Sequence, residues 1–361
     1  MKRILKVFLF LCFFIFTFAD LQAAPFFYEY RSPWFLGQGG AGLANPHGVE
    51  SLYDNPSVLS LSPKMLNEIS LLNVTATASS YPPSFSESSD TVTSLQKLTE
   101  NPSYYSASNS SGAAFKWFAF GFLTSNDVAL YRTEKDTANE TYHVNAMSYN
   151  SFNLGLSLPP IKNRLLIGIT GKVIDKTQVK IDDTAINLAT NYAAKESSAF
   201  IDDNEKKGVA IGADVAATFI LYKPNSTHIS LVLKNINTPY NYSNGIHGAP
   251  DSDPMMLNIG LSSSFGTRKS RFSFYADYYD LLDKTKENYM KKIHAGTTLS
   301  VLNLIFASVG LNQGYFTASA GLSFFGFLKL NAGVYSEELG ESYSQLESKR
   351  YFASVFMGYS L

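Results

Sequence analysis

From about Ser70 onward the chain alternates, residue by residue, between large apolar side chains and small uncharged ones. In Val209–Phe219, one face carries Val209, Ile211, Ala213, Val215, Ala217 and Phe219, and the other carries Ala210, Gly212, Asp214, Ala216 and Thr218. Leu257, Ile259 and Leu261 alternate with Asn258, Gly260 and Ser262, and Phe272, Phe274, Ala276 and Tyr278 with Arg271, Ser273, Tyr275 and Asp277. Successive side chains of a strand point to opposite faces, so a period of two predicts strands. The composition of the second face then says what kind of sheet they form. It holds mostly Gly, Ser, Thr and Asn, where a sheet facing water would carry Lys and Glu. An apolar face for lipid and a small polar face for a lumen is the pattern of an all-β transmembrane barrel. The competing reading is a soluble β-sandwich or periplasmic barrel, with the apolar faces turned into a core.

Connection lengths separate the two readings. The alternation predicts strands at 69–79, 111–117, 118–132, 145–158, 164–177, 207–222, 228–236, 255–266, 271–283, 291–302, 304–313, 315–325, 327–338 and 347–361. Connections after odd-numbered strands are mostly long (80–110, 133–144, 178–206, 237–254, 284–290, 339–346), and only the one near Gln313 is tight. Those after even-numbered strands are short: 159–163, 223–227, 267–270 and the turns near Asn303 and Gly326. Outer-membrane barrels sort their loops this way, long outside and short in the periplasm, and a sandwich has no reason to. Because 112–131 also reads as one bent segment, both twelve and fourteen antiparallel strands fit. The last strand presents Tyr351, Ala353, Val355, Met357, Tyr359 and Leu361 on one face up to the final residue, the kind of signal that barrel assembly machinery recognises.

The first 24 residues read as a secretory signal peptide. Lys2, Arg3 and Lys6 precede the apolar stretch Val7–Ala19, followed by small residues around Ala23–Ala24. That stretch also holds the only cysteine, Cys12, so the processed chain would have no thiol for disulfides or metal clusters. Charged residues make up 16% of the chain and aromatics 14%, a balance suited to apolar bands and aromatic girdles. A net charge of −1 leaves no basic footprint for nucleic acid. No later stretch offers 18 consecutive apolar residues, so strands must do any spanning.

Between signal and barrel, residues 25–66 have a different grammar. Gly37-Gln38-Gly39-Gly40-Ala41-Gly42-Leu43-Ala44 is followed by Tyr53-Asp54-Asn55-Pro56-Ser57-Val58-Leu59. The glycines permit close packing and positive φ, and Asn55-Pro56 is a turn dipeptide. The segment is too short for a domain and too apolar for a free tail, and it suits a plug in the mouth of a barrel spanning 67–361. These residues resemble the N-terminal hatch of the FadL/TodX superfamily of outer-membrane hydrocarbon transporters, which carry a Gly-Gly-Ala-Gly-like stretch and then Tyr-x-Asn-Pro-Ala-Gly-Leu. The match falls on Gly39, Gly40, Ala41, Gly42, Ala44, Tyr53, Asn55, Pro56 and Leu59, with Ser57 and Val58 in place of the usual Ala and Gly. The resemblance covers about 25 residues and implies a 14-stranded barrel with an internal plug. The stretch 309–315 and Tyr335–Gly340 look closer to the related PorV and TraF-like proteins.

No motif for catalysis, phosphate binding or metal binding emerges, and no cofactor is expected. The five histidines (His47, His143, His228, His247 and His294) lack metal-ligand spacing. His143 has no partner identifiable from sequence, and Asp182-Asp183 and Asp202-Asp203 read as solvated loop charge. Lys172, Asp214 and Asp277 lie on polar strand faces. Charge facing lipid is costly, which places all three in the lumen, lining a solute path, orienting the hatch or forming ordinary salt bridges. The expectation is a non-enzymatic outer-membrane channel with an apolar pocket, set in outer-membrane lipid. Its partner would be a hydrophobic small molecule, fatty-acid-like or aromatic, passing the hatch. The alternative is a PorV-like envelope component that presents loops 178–206 and 237–254 to secreted or assembling proteins.

Overall fold

The computed structural model describes residues 28–62, 64–79, 99–133, 140–162, 164–184, 187, 203–222, 226–242, 248–267 and 269–360. The signal peptide at 1–24 lies outside these residues.

Fourteen long antiparallel strands follow the alternation: β1 Leu66–Ser79, β2 Ser103–Phe115, β3 Phe118–Thr133, β4 Thr141–Ile161, β5 Leu165–Asp183, β6 Glu205–Tyr222, β7 Thr227–Ile236, β9 Met256–Gly266, β10 Ser270–Tyr278, β11 Ile293–Val301, β12 Ile305–Asn312, β13 Tyr315–Phe324, β14 Leu328–Glu338 and β15 Glu347–Ser360. A two-residue strand, β8 (Asn241–Tyr242), pairs with Gly208 and Val209 of β6. Each long strand pairs with the next. β1 pairs with β15 from Glu68↔Ser360 to Ser79↔Arg350, so the sheet closes on itself and no edge is left to solvate. The count is fourteen, not twelve, because β2 and β3 form separate strands in continuous register from Ser103↔Leu130 to Ala114↔Ala119.

The alternation sorts the faces as expected. Leu154, Leu156, Leu158, Ile211, Val215 and Phe219 are exposed on the outside, whereas Tyr149, Ser157, Thr170, Lys172, Asp214 and Thr218 are buried within. The short connections are tight: Leu302 and Asn303 have φ of 56° and 54°, and Phe325 and Gly326 of 49° and 78°. Positive φ at both central residues is the two-residue hairpin turn whose twist matches the strands. The wall is uneven in height, since β4 has 21 residues and β12 has 8. About 9–11 residues span a bilayer, so β3–β6 rise well above the apolar band on the long-loop side.

Candidate functional site

Residues 28–62 wind through the inside of the barrel, with Trp34 beside Phe306 near the short turns and Gly40 beside His294 near the long loops, and then enter β1. Two short helices, α1 (Pro33–Leu36) and α2 (Ser51–Asp54), and 3-10 turns at Gly48–Glu50 and Pro56–Leu61 give the segment its shape. Pro33 and Pro56 each stand in a first turn, where the missing N–H costs nothing. The segment builds a core with the wall. Tyr30, Val49, Leu52, Tyr53 and Leu59 pack with Leu123, Tyr149, Ile174, Ala210 and Tyr240.

Small residues on the inner strand faces make room for this chain, not for an open aqueous pore. A Cβ on Gly168 would lie 2.3 Å from the Ser57 nitrogen, and one on Gly296 would lie 2.1 Å from the Gln38 oxygen. On the segment's own side, Gly39 has φ +78°, and a Cβ there would meet the Ala295 carbonyl at 2.2 Å.

Each residue of the glycine and Asn-Pro stretches has a definite seat. The Gly39 N–H donates to Thr317 Oγ1 at 2.9 Å, and Gly40 abuts His294. Asp277 accepts from the Gly42 and Leu43 N–H groups at 2.7 and 2.9 Å. The Tyr53 hydroxyl donates to the Phe122 carbonyl. Asn55 is fully buried: its Nδ2 donates to the Leu43 carbonyl at 2.9 Å and to Thr218, and its Oδ1 accepts from the Ser57 N–H and hydroxyl. Pro56 then starts the 3-10 turn that ends at the foot of the wall.

Lys172 and Asp214 meet in the lumen at 3.0 Å, and Lys172 also reaches Glu29 at 2.6 Å and Asn235 at 2.5 Å. Asp277 sits apart from them, on the glycine stretch. A second buried cluster joins Arg31 and Arg350 through Glu337, with Arg350 lying 3.6 Å from the Tyr104 ring centre and Tyr104 donating to Asp127. The partners Glu29, Arg31, Glu337 and Arg350 were not singled out in the sequence. For Glu337 and Arg350, the signal that could have found them is a charge at a lumen-facing position of β14 and β15, costly unless paired.

Glu50 is buried without a cation. Its carboxylate accepts from Tyr30 at 2.8 Å, Ser32 at 2.7 Å and Asn73 at 3.2 Å. Burial, reinforced by nearby Asp54 and Glu68, pushes its pKa up to about 8. Burial, with Glu29 and Asp214 nearby, likewise raises Asp54 to about 7 against the pull of Lys234. These are α2 and 3-10 residues inside the barrel, not part of the wall.

Around the start of the segment, cavities of about 10 and 30 Å³ remain, lined by residues that include Tyr28, Arg31, Tyr104, Asp127 and Glu337. They hold about a water molecule each. Neither is the apolar pocket expected from the sequence, and beside them the segment fills the lumen with its own side chains.

Two loop expectations also change. His143, without a partner in the sequence reading, has its ring between Asp182 at 2.7 Å and Thr133 at 2.8 Å, stacked on Tyr131, and this pins the raised rim of β3–β5. Asp182 is thus a rim contact and not free loop charge. Loop 237–254 folds inward where it is described. Tyr240 and Lys176 both bind Asp253, and Thr238, Tyr240 and Asp253 are buried.

Two solved structures share this architecture. The TodX deltaS2S3 mutant, a monoaromatic hydrocarbon channel, aligns with a TM-score of 0.53 at 13% identity, over 91% of this chain and 98% of its own. The TodX deltaS2 mutant aligns with a TM-score of 0.50 at 10% identity, over 95% and 100%. The chain has the fold of TodX. At these identities the likeness concerns the fold, and it extends over the length of both chains. No family model matches the chain, and no curated protein does.

Within this TodX-like barrel, the ion pairs are the clearest test of how the segment is seated. Replacing Lys172 with Met leaves Glu29 and Asp214 facing one another without a cation. Removing one partner of a buried pair costs about 3–5 kcal/mol. The expected outcome is a K172M variant whose folded, fast-migrating form on unboiled gels is lost at a clearly lower temperature. K172R, which keeps the charge, should fall between it and the natural chain.

Proposed function

We propose that this protein is an outer-membrane channel for small hydrophobic solutes, fatty-acid-like or aromatic, with residues 25–66 as its hatch. On this reading the signal peptide at 1–24 is removed, assembly machinery inserts the barrel 67–361, and outer-membrane lipid covers its apolar band. The observation that carries the proposal is a closed barrel of TodX-like fold whose lumen is filled by a segment seated largely on hydrogen bonds and ion pairs. Such contacts can be exchanged for water or for one another, whereas a covalent or wholly apolar core would stay shut. Apolar solutes are held back by the polar outer surface of the cell, and burial at about 25 cal/mol per Å² would draw them into the barrel once the segment yields. Gly39, Gly40 and Gly42 give the segment close seats, Tyr53, Asn55 and Pro56 anchor its lower end, and Lys172, Asp214 and Asp277 hold it from the wall.

The alternative is a scaffold presenting loops 178–206 and 237–254 to protein partners. The inward fold of Thr238, Tyr240 and Asp253 takes part of the described portion of one of those faces away. Uptake separates the readings. A strain lacking the protein should take up labelled toluene or oleate more slowly, and the natural chain should restore the rate. If uptake of both is unchanged and the purified barrel binds neither, the channel reading fails.

A further inference from the structure

The two ends of the barrel differ in charge. At the long-loop end, basic and acidic residues are mixed and paired, as in Lys291–Glu287, Lys292–Asp280 and Lys207–Glu205. At the other end the short connections 62–66, 115–118, 159–164, 223–227, 266–271, 301–305 and 324–328 contain no Asp or Glu at all. They do contain Lys64, Lys116, Lys162, Arg164, Lys269 and Arg271, with Lys223 and Arg268 in the same turns outside the described residues. None of the six described basic residues forms an ion pair with a described carboxylate.

Their arrangement is as one-sided as their sign. The turns β2–β3, β4–β5, β6–β7 and β9–β10 are consecutive around the wall, and Lys64 leads into the adjoining β1. The next two turns, β11–β12 and β13–β14, are uncharged and apolar, with Leu302, Phe325 and Phe327 exposed. Along the basic arc the charged groups border the outer apolar band directly. Met65, Trp117, Phe118, Ile161 and Phe265 are exposed beside them, and the Lys116 ammonium lies 5.5 Å from the centre of the Trp117 ring. Long basic side chains with apolar stems and aromatic neighbours suit the boundary between acyl chains and headgroups.

We propose that this arc of turn lysines and arginines binds the phosphates of anionic phospholipids in the leaflet facing the short-turn end. The inference rests on the membrane-barrel reading above. A soluble acidic partner would need only the charges, whereas the continuity of charge with the apolar band calls for a ligand that supplies an anion and an acyl chain together. Lipid contact would anchor that end of the barrel vertically and fix one side of it toward acidic lipid.

The full chain, reconstituted in phosphatidylcholine bilayers containing a minor share of phosphatidylglycerol, provides the test. Spin-labelled versions of the two lipids report which is immobilised at the protein surface. Phosphatidylglycerol should be favoured severalfold, the preference should shrink as salt screens the charges, and the K116Q/K162Q/R164Q variant should lose most of it. K284Q/K286Q, altered at the opposite end, should keep it. Heat-dependent gel mobility of the same samples reports insertion separately. Inserted barrels with no preference, a preference that survives the triple substitution, or its abolition by soluble polyglutamate would each overturn the proposal while leaving the barrel reading intact. Failure of the natural chain to insert would remove the barrel reading and the proposal with it.

Discussion

A chain lacking residues 28–61 is expected to assemble as a barrel and to conduct ions, where the complete chain conducts few or none. The wall does not depend on the segment for closure. Its strands pair with one another all the way round, including β1 with β15. What the segment supplies is the filling: Leu52, Tyr53 and Leu59 pack against the inner wall, and Gln38 and Ser57 press against wall glycines. Its removal would leave a lumen lined by Lys172, Asp214, Asp277, Thr170, Thr218 and Ser157, polar enough to fill with water. Planar-bilayer recording should then show a conductance at least an order of magnitude above that of the natural chain. Deletion also strips Glu29 from Lys172 and could impair folding, so a milder variant is needed. G168V keeps the whole chain but drives a side chain into the backbone at Ser57, which lies 2.3 Å from a Cβ at that site. It should raise conductance in the same direction with gel mobility unchanged. If both variants fold and stay silent, the segment does not close the pore.

The wall was legible because its two faces differ so sharply in chemistry, and legibility failed where that contrast fades. β2 begins at Ser103, eight residues before the expected 111, since Ser106, Ser108, Asn109 and Ser110 offer no apolar partner face to count. β4 and β5 extend to Thr141 and Asp183 because their upper ends stand above the lipid, where an outer face need not be apolar. β10 stops at Tyr278 and not at 283: Leu281 and Leu282 continue the pattern, but Asp280 takes φ 52° and turns the chain, its carboxylate bound to Lys284 N, Thr285 N and Lys292. The glycine and Asn-Pro stretches could be seen as motifs, yet their partners could not. Glu29 and Lys172 are 143 residues apart, and Gly42 and Asp277 are 235 apart, distances over which only the closed barrel creates a neighbourhood.

The seating of the segment is expected to weaken as pH rises from about 5 to 8, and Glu50 is the main cause. With the segment in place, Glu50 holds its proton up to about 8 and Asp54 up to about 7. Once the segment leaves the lumen, water restores both carboxyls to the ordinary range near 4. Between those limits the seated state binds more protons than the released one, so raising the pH favours release. Seating is at its strongest below the ordinary carboxylate range, loses ground through neutrality, and becomes independent of pH once Glu50 has ionised in place. His47, lowered to about 4 by burial, returns to its ordinary value near 6.5 on release, so it offsets part of the effect below that pH and none of it above. The gain in released fraction from Glu50 alone is bounded at about tenfold per pH unit. Hydrogen exchange at residues 28–62, or conductance of the natural chain, should therefore climb between pH 6 and 8. E50Q should flatten most of that slope, because its amide never carries charge, and D54N should remove a smaller part ending near neutrality. A slope unchanged in E50Q would mean that the carboxyl is solvated in the seated state and that the three donors around it (Tyr30, Ser32 and Asn73) serve a charged group. In that case the coupling between acidity and the hatch would not exist, and release would have to be driven by the solute alone.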